Sequence, residues 1–164
     1  MFLLMVSLAS NAQSSFFFVG SATDKISDPI TLCSMDLTNG KLSKVNSFEG
    51  TKSSSYLCIS SDQKYLYAVN GESLNPKSKD ISVASFEINP NSKELTLINK
   101  QSVEGQGACH VSLTSDNKFL LVANYGSGNI VVLPIDKDGS LKPVSSNMQH
   151  VGSGPDEDRQ KSPH

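Results

Sequence analysis

The sequence has no tryptophan, and its three cysteines, Cys33, Cys58 and Cys109, form no C-x-x-C pair. An odd cysteine count without that spacing argues against a disulfide framework and against a structural zinc site. We therefore expect three small buried thiols. The P-loop pattern and the Gly-x-Ser-x-Gly elbow are also missing, so the sequence supports neither a Walker-type phosphate loop nor a serine nucleophile.

Clusters of basic residues are missing as well. Fourteen Lys and Arg residues stand against 16 acidic ones, for a net charge of −2. No run of them could neutralise a row of phosphates, so nucleic acid is not an expected partner. No apolar run reaches the ~20 residues of a transmembrane helix, and no residue group calls for a metal or organic cofactor. With 37% hydrophobic and 18% charged residues, the 164-residue chain has the composition of one soluble globular domain.

The first 12 residues have a composition of their own. An apolar run from Phe2 to Ala9 is followed by the small-residue triplet Ser10-Asn11-Ala12. This order is typical of a secretory signal and predicts cleavage after Ala12, although the usual positive residues are missing. We expect a periplasmic or secreted protein on this pattern. The alternatives are a start further upstream, or a first strand of the fold in a cytoplasmic protein.

From Phe16 onward, short β-branched or aromatic runs alternate with Asn, Gly, Asp and Ser clusters, and no segment keeps a 3.6-residue apolar period. The sequence therefore predicts an all-β chain. The predicted strands are Phe16–Gly20, Ile30–Asp36, Leu42–Ser47, Tyr56–Ser60, Tyr65–Asn70, Ile81–Ile88, Leu95–Val103, His110–Thr114, Phe119–Asn124, Asn129–Ile135 and Leu141–Gln149.

These strands belong to a repeat. Residues Tyr56–Asn70 match His110–Asn124 in pattern without a gap, and each copy has a Ser-Asp-x-Lys turn between two strands. A partial earlier copy begins at Phe16 and lacks the first strand. Units of about fifty residues with four short antiparallel strands predict the blades of a β-propeller.

The blade count predicts an incomplete propeller. After the signal segment 1–12, residues 13–164 would form blades at roughly 16–50, 55–104 and 109–150, with the next blade starting at 151–164. Closed propellers use about four to eight blades. We therefore expect an N-terminal portion of a longer protein, in which the missing first strand comes from the C-terminus.

Four stretches resemble the lactonase family of seven-bladed β-propellers, which includes propeller-type 6-phosphogluconolactonases and fungal carboxy-muconate lactonizing enzymes (the cycloisomerase 2 family). They are Gly107-Ala108-Cys109-His110-Val111, Val122–Gly128, Gln149–Pro155 and Arg159–His164. The resemblance implies hydrolysis of a sugar lactone, such as 6-phosphoglucono-1,5-lactone, to the open acid, by a protein that is monomeric when complete. A muconate-type cycloisomerase and a non-catalytic binding propeller are the alternatives, because a fold does not fix a function. The fragment alone is expected to be inactive.

The resemblance also suggests site residues. His164 is the candidate general base, since a histidine pKa lies near neutrality. Arg159 is the candidate that stabilises the oxyanion or binds a phosphate or carboxylate. His110, Tyr125 and Asn124 are candidate substrate-binding residues. Asn70 repeats Asn124, which favours a turn-forming role for the asparagine, whereas Tyr125 has no counterpart in the other copy.

Overall fold

The computed structural model describes residues 14–22, 27–71, 81–156 and 160. These residues contain no helix, and their strands form three antiparallel sheets. The predicted all-β chain is confirmed. The strands are β1 (Ser14–Gly20), β2 (Ile30–Asp36), β3 (Leu42–Phe48), β4 (Leu57–Ile59), β5 (Tyr65–Asn70), β6 (Ser82–Ile88), β7 (Leu95–Ser102), β8 (Ala108–Leu113), β9 (Phe119–Asn124), β10 (Asn129–Pro134) and β11 (Ser146–Gln149).

The sheets reproduce the predicted repeat. Blade 1 has the order β1-β2-β3, blade 2 the order β4-β5-β6-β7, and blade 3 the order β8-β9-β10-β11. Within the described residues, blade 1 therefore lacks the first strand that the other two blades have. The first strands β4 and β8 lie against each other, which marks them as the inner strands. The last strand of each blade, β3, β7 or β11, is the most exposed strand of its blade, as expected for a polar rim.

The Ser-Asp-x-Lys segments form the turns between the first and second strands. Asp116 Oδ1 accepts hydrogen bonds from the Thr114 hydroxyl at 2.7 Å and from the Lys118 backbone nitrogen at 3.2 Å. Asp62 makes the same two bonds in blade 2, at 2.6 and 3.2 Å. Asn117, between the aspartate and the lysine, has a positive φ of 55°, a conformation that asparagine tolerates better than most residues.

Alternation along β5 explains how blade 2 packs on both neighbours. Side chains on successive strand residues point to opposite faces of a sheet. Leu66 and Ala68 pack with the apolar residues of blade 1, whereas Tyr67 and Val69 pack with those of blade 3. All four are at most 1% exposed. A strand that is buried on both faces has a continuous apolar run in its sequence, as Leu66–Val69 does.

Blade 3 is joined to blade 2 by polar contacts as well as by the core. The turn between β10 and β11 inserts the Gly139 carbonyl between two hydroxyl groups of blade 2. It accepts hydrogen bonds from the Ser85 hydroxyl at 2.6 Å and from the Tyr67 hydroxyl at 3.2 Å. Asn99 donates to the Leu141 carbonyl at 2.8 Å and accepts from the Leu141 nitrogen at 3.0 Å. These bonds fix the position of blade 3 relative to blade 2.

The predicted strand bounds agree with the observed ones to within two residues, except at the start of the last strand. The last strand was expected from Leu141 but begins at Ser146, and Leu141 makes only an isolated bridge to Ile135. Pro143 explains the late start, because proline has no N–H for a ladder bond. The first strand of blade 3 begins at Ala108 rather than His110, and its register shifts between these two residues.

The expectation of three buried thiols was also wrong. Cys109 is exposed, and Cys33 and Cys58 are half-buried. Cys109 lies inside the register shift of β8, and an extra residue of this kind redirects the neighbouring side chains. Desolvation raises the pKa of the Cys58 thiol to about 12, so this thiol stays protonated at neutral pH.

Candidate functional site

The candidate residues lie at one end of the blades, which we call the loop end. In an antiparallel meander, the connections β1–β2, β3–β4, β5–β6, β7–β8 and β9–β10 all fall on the same side. Hydrogen bonds join connections of successive blades there. The Ser54 nitrogen donates to the Ser21 carbonyl at 2.9 Å, and the Lys52 nitrogen donates to Asn70 Oδ1 at 2.9 Å. The loop end is thus a continuous surface of connections beside the inner strands.

Asn124 is a buried residue beneath the loop end that holds one of its connections in place. Its side chain is only 2% exposed, and its amide nitrogen donates to the Val103 carbonyl at 3.1 Å. Gly105 passes so close to the Asn124 amide that a Cβ there would overlap it. The repeated residue Asn70 also holds the preceding connection, but by accepting a hydrogen bond from the Lys52 nitrogen. This burial favours the turn-forming role for Asn124 over direct contact with a substrate.

Tyr125 follows Asn124 and lies on the surface, with 44% of its area exposed. Its backbone nitrogen donates to the Gly107 carbonyl at 2.9 Å. Ser127 fastens the same loop, because its hydroxyl accepts a bond from the Gln106 nitrogen at 2.9 Å. Two connections of blade 3 are therefore held together, and they present the Tyr125 ring at the loop end.

His110 lies on the inner strand β8, one residue beyond the register shift. Its ring contacts the ring of Tyr56 from blade 2, with centroids 4.2 Å apart and planes at 46°. Both residues are exposed. The rings are in direct contact, at a tilt between the stacked and the edge-to-face arrangements that aromatic pairs prefer. This contact crosses the boundary between two blades on their inner side.

Sequence comparison aligns Tyr56 with His110 but did not predict that they touch. Tyr56 directly precedes β4 and His110 lies within β8, and the register of a repeat carries no information on contacts between its copies. The one feature of the sequence that could have indicated this contact is that aromatic rings stand at equivalent positions of consecutive blades.

The loop after β11 closes on itself. The Gly154 nitrogen donates to the Gln160 carbonyl at 2.9 Å, and the Gln160 nitrogen donates to the Asp156 carbonyl at 2.7 Å. The Gln160 side chain in turn accepts from the Asp156 nitrogen at 3.2 Å. The two catalytic candidates, Arg159 and His164, lie outside the described residues, as does the predicted signal segment 1–12.

Two aspartates in the turns between the first and second strands have lowered pKa values. Hydrogen bonds from the Thr114 hydroxyl and from Lys118 lower the pKa of Asp116 to about 2. A bond from the Ser60 hydroxyl lowers the pKa of Asp62 in the same way. Both carboxylates sit in the turns at the opposite end of the blades. Their shifts are explained by turn formation and do not indicate a general acid or base.

Metal sites and membrane-spanning helices are two further features that bear on function. No three His, Cys, Asp or Glu side chains converge to hold a metal ion in the described parts of the chain. In those same parts, no helix is long and apolar enough to span a bilayer.

The chain is similar to known proteins in sequence and in fold. The family model described as "Lactonase, 7-bladed beta-propeller" matches residues 16–164. The 6-phosphogluconolactonase of Bacillus subtilis is 35% identical over 147 residues, covering 90% of this chain and 40% of that protein.

Solved structures give the same picture. A Bacteroides fragilis protein provisionally named a 6-phosphogluconolactonase aligns with a TM-score of 0.83 and 31% identity, over 93% of this chain and 41% of that one. The periplasmic gluconolactonase of Pseudomonas aeruginosa aligns with a TM-score of 0.78 and 27% identity, over 90% and 42%. The chain therefore spans about two fifths of the length of each of these relatives.

Proposed function

The chain belongs to the seven-bladed β-propeller lactonase family, and from this premise we propose that the whole protein hydrolyses a sugar lactone to the open acid. The observation that carries the proposal is the family match, which extends from the first described strand to the last residue of the chain. The substrate is 6-phosphoglucono-1,5-lactone or a close relative.

The reaction requires a water molecule to attack the carbonyl carbon of the ring ester. As the water oxygen bonds to carbon, a base removes its proton and negative charge develops on the carbonyl oxygen. His164 has the side chain suited to the base, and general-base help is worth about 10²–10⁴ in rate. Arg159 has the charge to stabilise the oxyanion, and it can also bind a phosphate or carboxylate through two parallel hydrogen bonds.

His110 and Tyr125 are the proposed contacts to the substrate. Both are exposed at the loop end, and both have groups that exchange hydrogen bonds with sugar hydroxyls. Asn124 serves the same site indirectly, because its buried amide shapes the connection beneath Tyr125.

Whether the substrate carries a phosphate depends on where the protein works. The relative from Bacillus subtilis is named for a phosphorylated lactone, and the one from Pseudomonas aeruginosa is a periplasmic gluconolactonase. If the Met1–Ala12 segment directs export, an unphosphorylated lactone becomes the better candidate, since phosphorylated sugars arise in the cytosol. N-terminal sequencing of the mature protein tests export, with Gln13 expected as the first residue.

The function is tested with the whole protein on 6-phosphoglucono-1,5-lactone and on glucono-1,5-lactone, with spontaneous hydrolysis subtracted. We expect activity on at least one of them. His164→Ala and Arg159→Ala should each lower kcat/KM by about 10²-fold or more, and Arg159→Lys should restore little.

His150→Ala is the matched control, because His150 is an exposed histidine that follows the rim strand β11. Full activity in both the His164→Ala and Arg159→Ala variants would refute the assigned roles. Absence of activity on every lactone, with formation of a lactone from a muconate, would identify a cycloisomerase. Absence of both activities would favour a binding propeller.

A further inference from the structure

The contact between Tyr56 and His110 has features that core packing does not explain. The two rings meet with centroids 4.2 Å apart, although Tyr56 is 39% exposed and His110 is also exposed. Rings that pack to stabilise a fold are usually buried, because their contribution scales with the apolar area removed from water. This pair instead leaves ring surface open on the inner side of the blades, beside the loop end.

The backbone that carries each ring is fixed. The Tyr56 carbonyl accepts a hydrogen bond from the Val69 nitrogen at 3.0 Å, and the next residue, Leu57, packs against the core between blades 1 and 2. His110 pairs with Ala123 on β9, and the next residue, Val111, is 1% exposed. The rings therefore cannot separate by a movement of their strands without disturbing both cores. Their remaining freedom is rotation about the side-chain bonds.

An exposed histidine ring on its own would rotate among several rotamers. The Tyr56 ring removes part of this freedom, because it occupies one side of the imidazole. Aromatic pairs of this kind favour one arrangement by about 2- to 10-fold. The two rings hold equivalent positions in consecutive blades. They meet only because the two blades pack against each other.

We propose that Tyr56 is a positioning residue of the sugar-binding site, and that its ring holds the His110 imidazole toward the substrate. This inference rests on the proposed lactonase function and extends it to a residue that no comparison assigns. Tyr56 acts through its ring and not through its hydroxyl. His110 is the group that meets the sugar, by a hydrogen bond between an imidazole nitrogen and a ring hydroxyl.

Kinetics of the whole protein on its best lactone test this division of roles. Tyr56→Ala should raise KM by about 2- to 10-fold with kcat nearly unchanged, because a contact made equally in ground and transition states affects binding alone. Tyr56→Phe keeps the ring and should behave like the unmodified protein. In a His110→Ala background, Tyr56→Ala should have no further effect on KM. The denaturation midpoint should stay within 2 °C, which separates positioning from loss of fold.

A readout independent of turnover is the NMR spectrum of the imidazole C–H protons of His110, assigned with His110→Ala. Tyr56→Ala should move these signals, because it removes the ring current of the tyrosine, and Tyr56→Phe should leave them near their place. Gluconate, the stable product of glucono-1,5-lactone hydrolysis, is the probe ligand. It should shift the His110 signals in the unmodified protein and do so at several-fold higher concentration in Tyr56→Ala.

The outcomes separate this inference from the proposed function. If no lactone is hydrolysed, the proposed function fails, and the gluconate titration still decides the role of Tyr56. The inference is overturned if Tyr56→Phe raises KM as much as Tyr56→Ala, or if Tyr56→Ala raises KM equally with and without His110. Unchanged imidazole signals in Tyr56→Ala would overturn it as well.

Discussion

Gly139 offers a direct test of how blade 3 is held on blade 2. It lies in the turn between β10 and β11 with a φ of +80°, and its carbonyl accepts the bonds from Ser85 and Tyr67. A Cβ at Gly139 would stand 2.7 Å from Cγ of Tyr65 and nearer still to two other ring carbons. The change to test is Gly139→Ala, which adds one methyl group at this contact.

The loss of unfolding free energy expected for Gly139→Ala has two parts. The positive φ costs about 1–2 kcal/mol once a side chain is present, less about 0.4–1 kcal/mol for the lower entropy of the unfolded chain. The overlap adds about 1–3 kcal/mol, typical of an extra methyl group in a packed region. Cγ is the ring atom closest to the backbone, so Tyr65 cannot move aside without giving up the bond from its hydroxyl to the Lys137 carbonyl at 3.3 Å. We expect a total loss of about 2–4 kcal/mol in unfolding free energy.

The assay is urea unfolding of the whole protein, followed by fluorescence of its tyrosines or by circular dichroism. The control is a double-mutant cycle with Tyr65→Ala, which removes the ring that the new methyl group would meet. In that background Gly139→Ala should cost only the φ part, about 1 kcal/mol. Gly40→Ala is a second reference, because Gly40 has a φ of +73° and no neighbour within 4 Å among the described residues.

This prediction is wrong if Gly139→Ala lowers the unfolding free energy by the same amount with and without the Tyr65 ring. Equal costs would mean that the backbone conformation alone matters, and that the turn does not press against blade 2. A loss of lactonase activity without a loss of stability would also contradict it, because the turn lies at the end of the blades opposite to the loop end.

Three further predictions concern single groups. Asn99→Ala leaves both backbone groups of Leu141 without their partner and should lower the unfolding free energy by about 2–3 kcal/mol; a loss below about 0.5 kcal/mol would show that water replaces the side chain. The folded-state pKa of Asp116 is depressed from 3.8 to about 2, so the stability it contributes is complete above pH 3.8 and disappears as the pH falls through 2. Asp116→Asn should therefore weaken the dependence of the urea midpoint on pH in this window, and an unchanged slope would contradict the assignment. Iodoacetamide at pH 8, followed by mass spectrometry, should label exposed Cys109 well before Cys58, whose pKa is raised to about 12 by burial; equal labelling would refute that burial.

The repeat made most of the fold predictable. Alternating apolar residues, the Ser-Asp-x-Lys turns and the two matching copies predict local pairing, and local pairing accounts for the order of strands within each blade. The prediction failed at Leu141–Ser145, where a polar and apolar alternation resembles a strand but Pro143 cannot donate to the ladder. It failed again at Cys109, since a shift of register is not visible in the pattern of apolar residues.

Contacts between blades could not be predicted, because they depend on how one sheet turns relative to the next. The Gly139 carbonyl meets Tyr67 and Ser85 only because blade 3 lies at one particular angle on blade 2. No spacing in the sequence encodes that angle. It follows from the volumes of all the residues between the sheets taken together.

The same distinction applies to function. A residue shared by both copies, such as Asn124 with its counterpart Asn70, is explained by the blade, and its burial agrees with that explanation. A residue that differs between the copies is not needed to form the blade. His110 and Tyr125 are of this kind and are therefore the better candidates for function. Tyr56 shows that this criterion is incomplete. By sequence it is the ordinary counterpart of His110, yet the two rings touch across the blade boundary. Residues that differ between two copies can therefore act as a pair, which only the contacts between blades reveal.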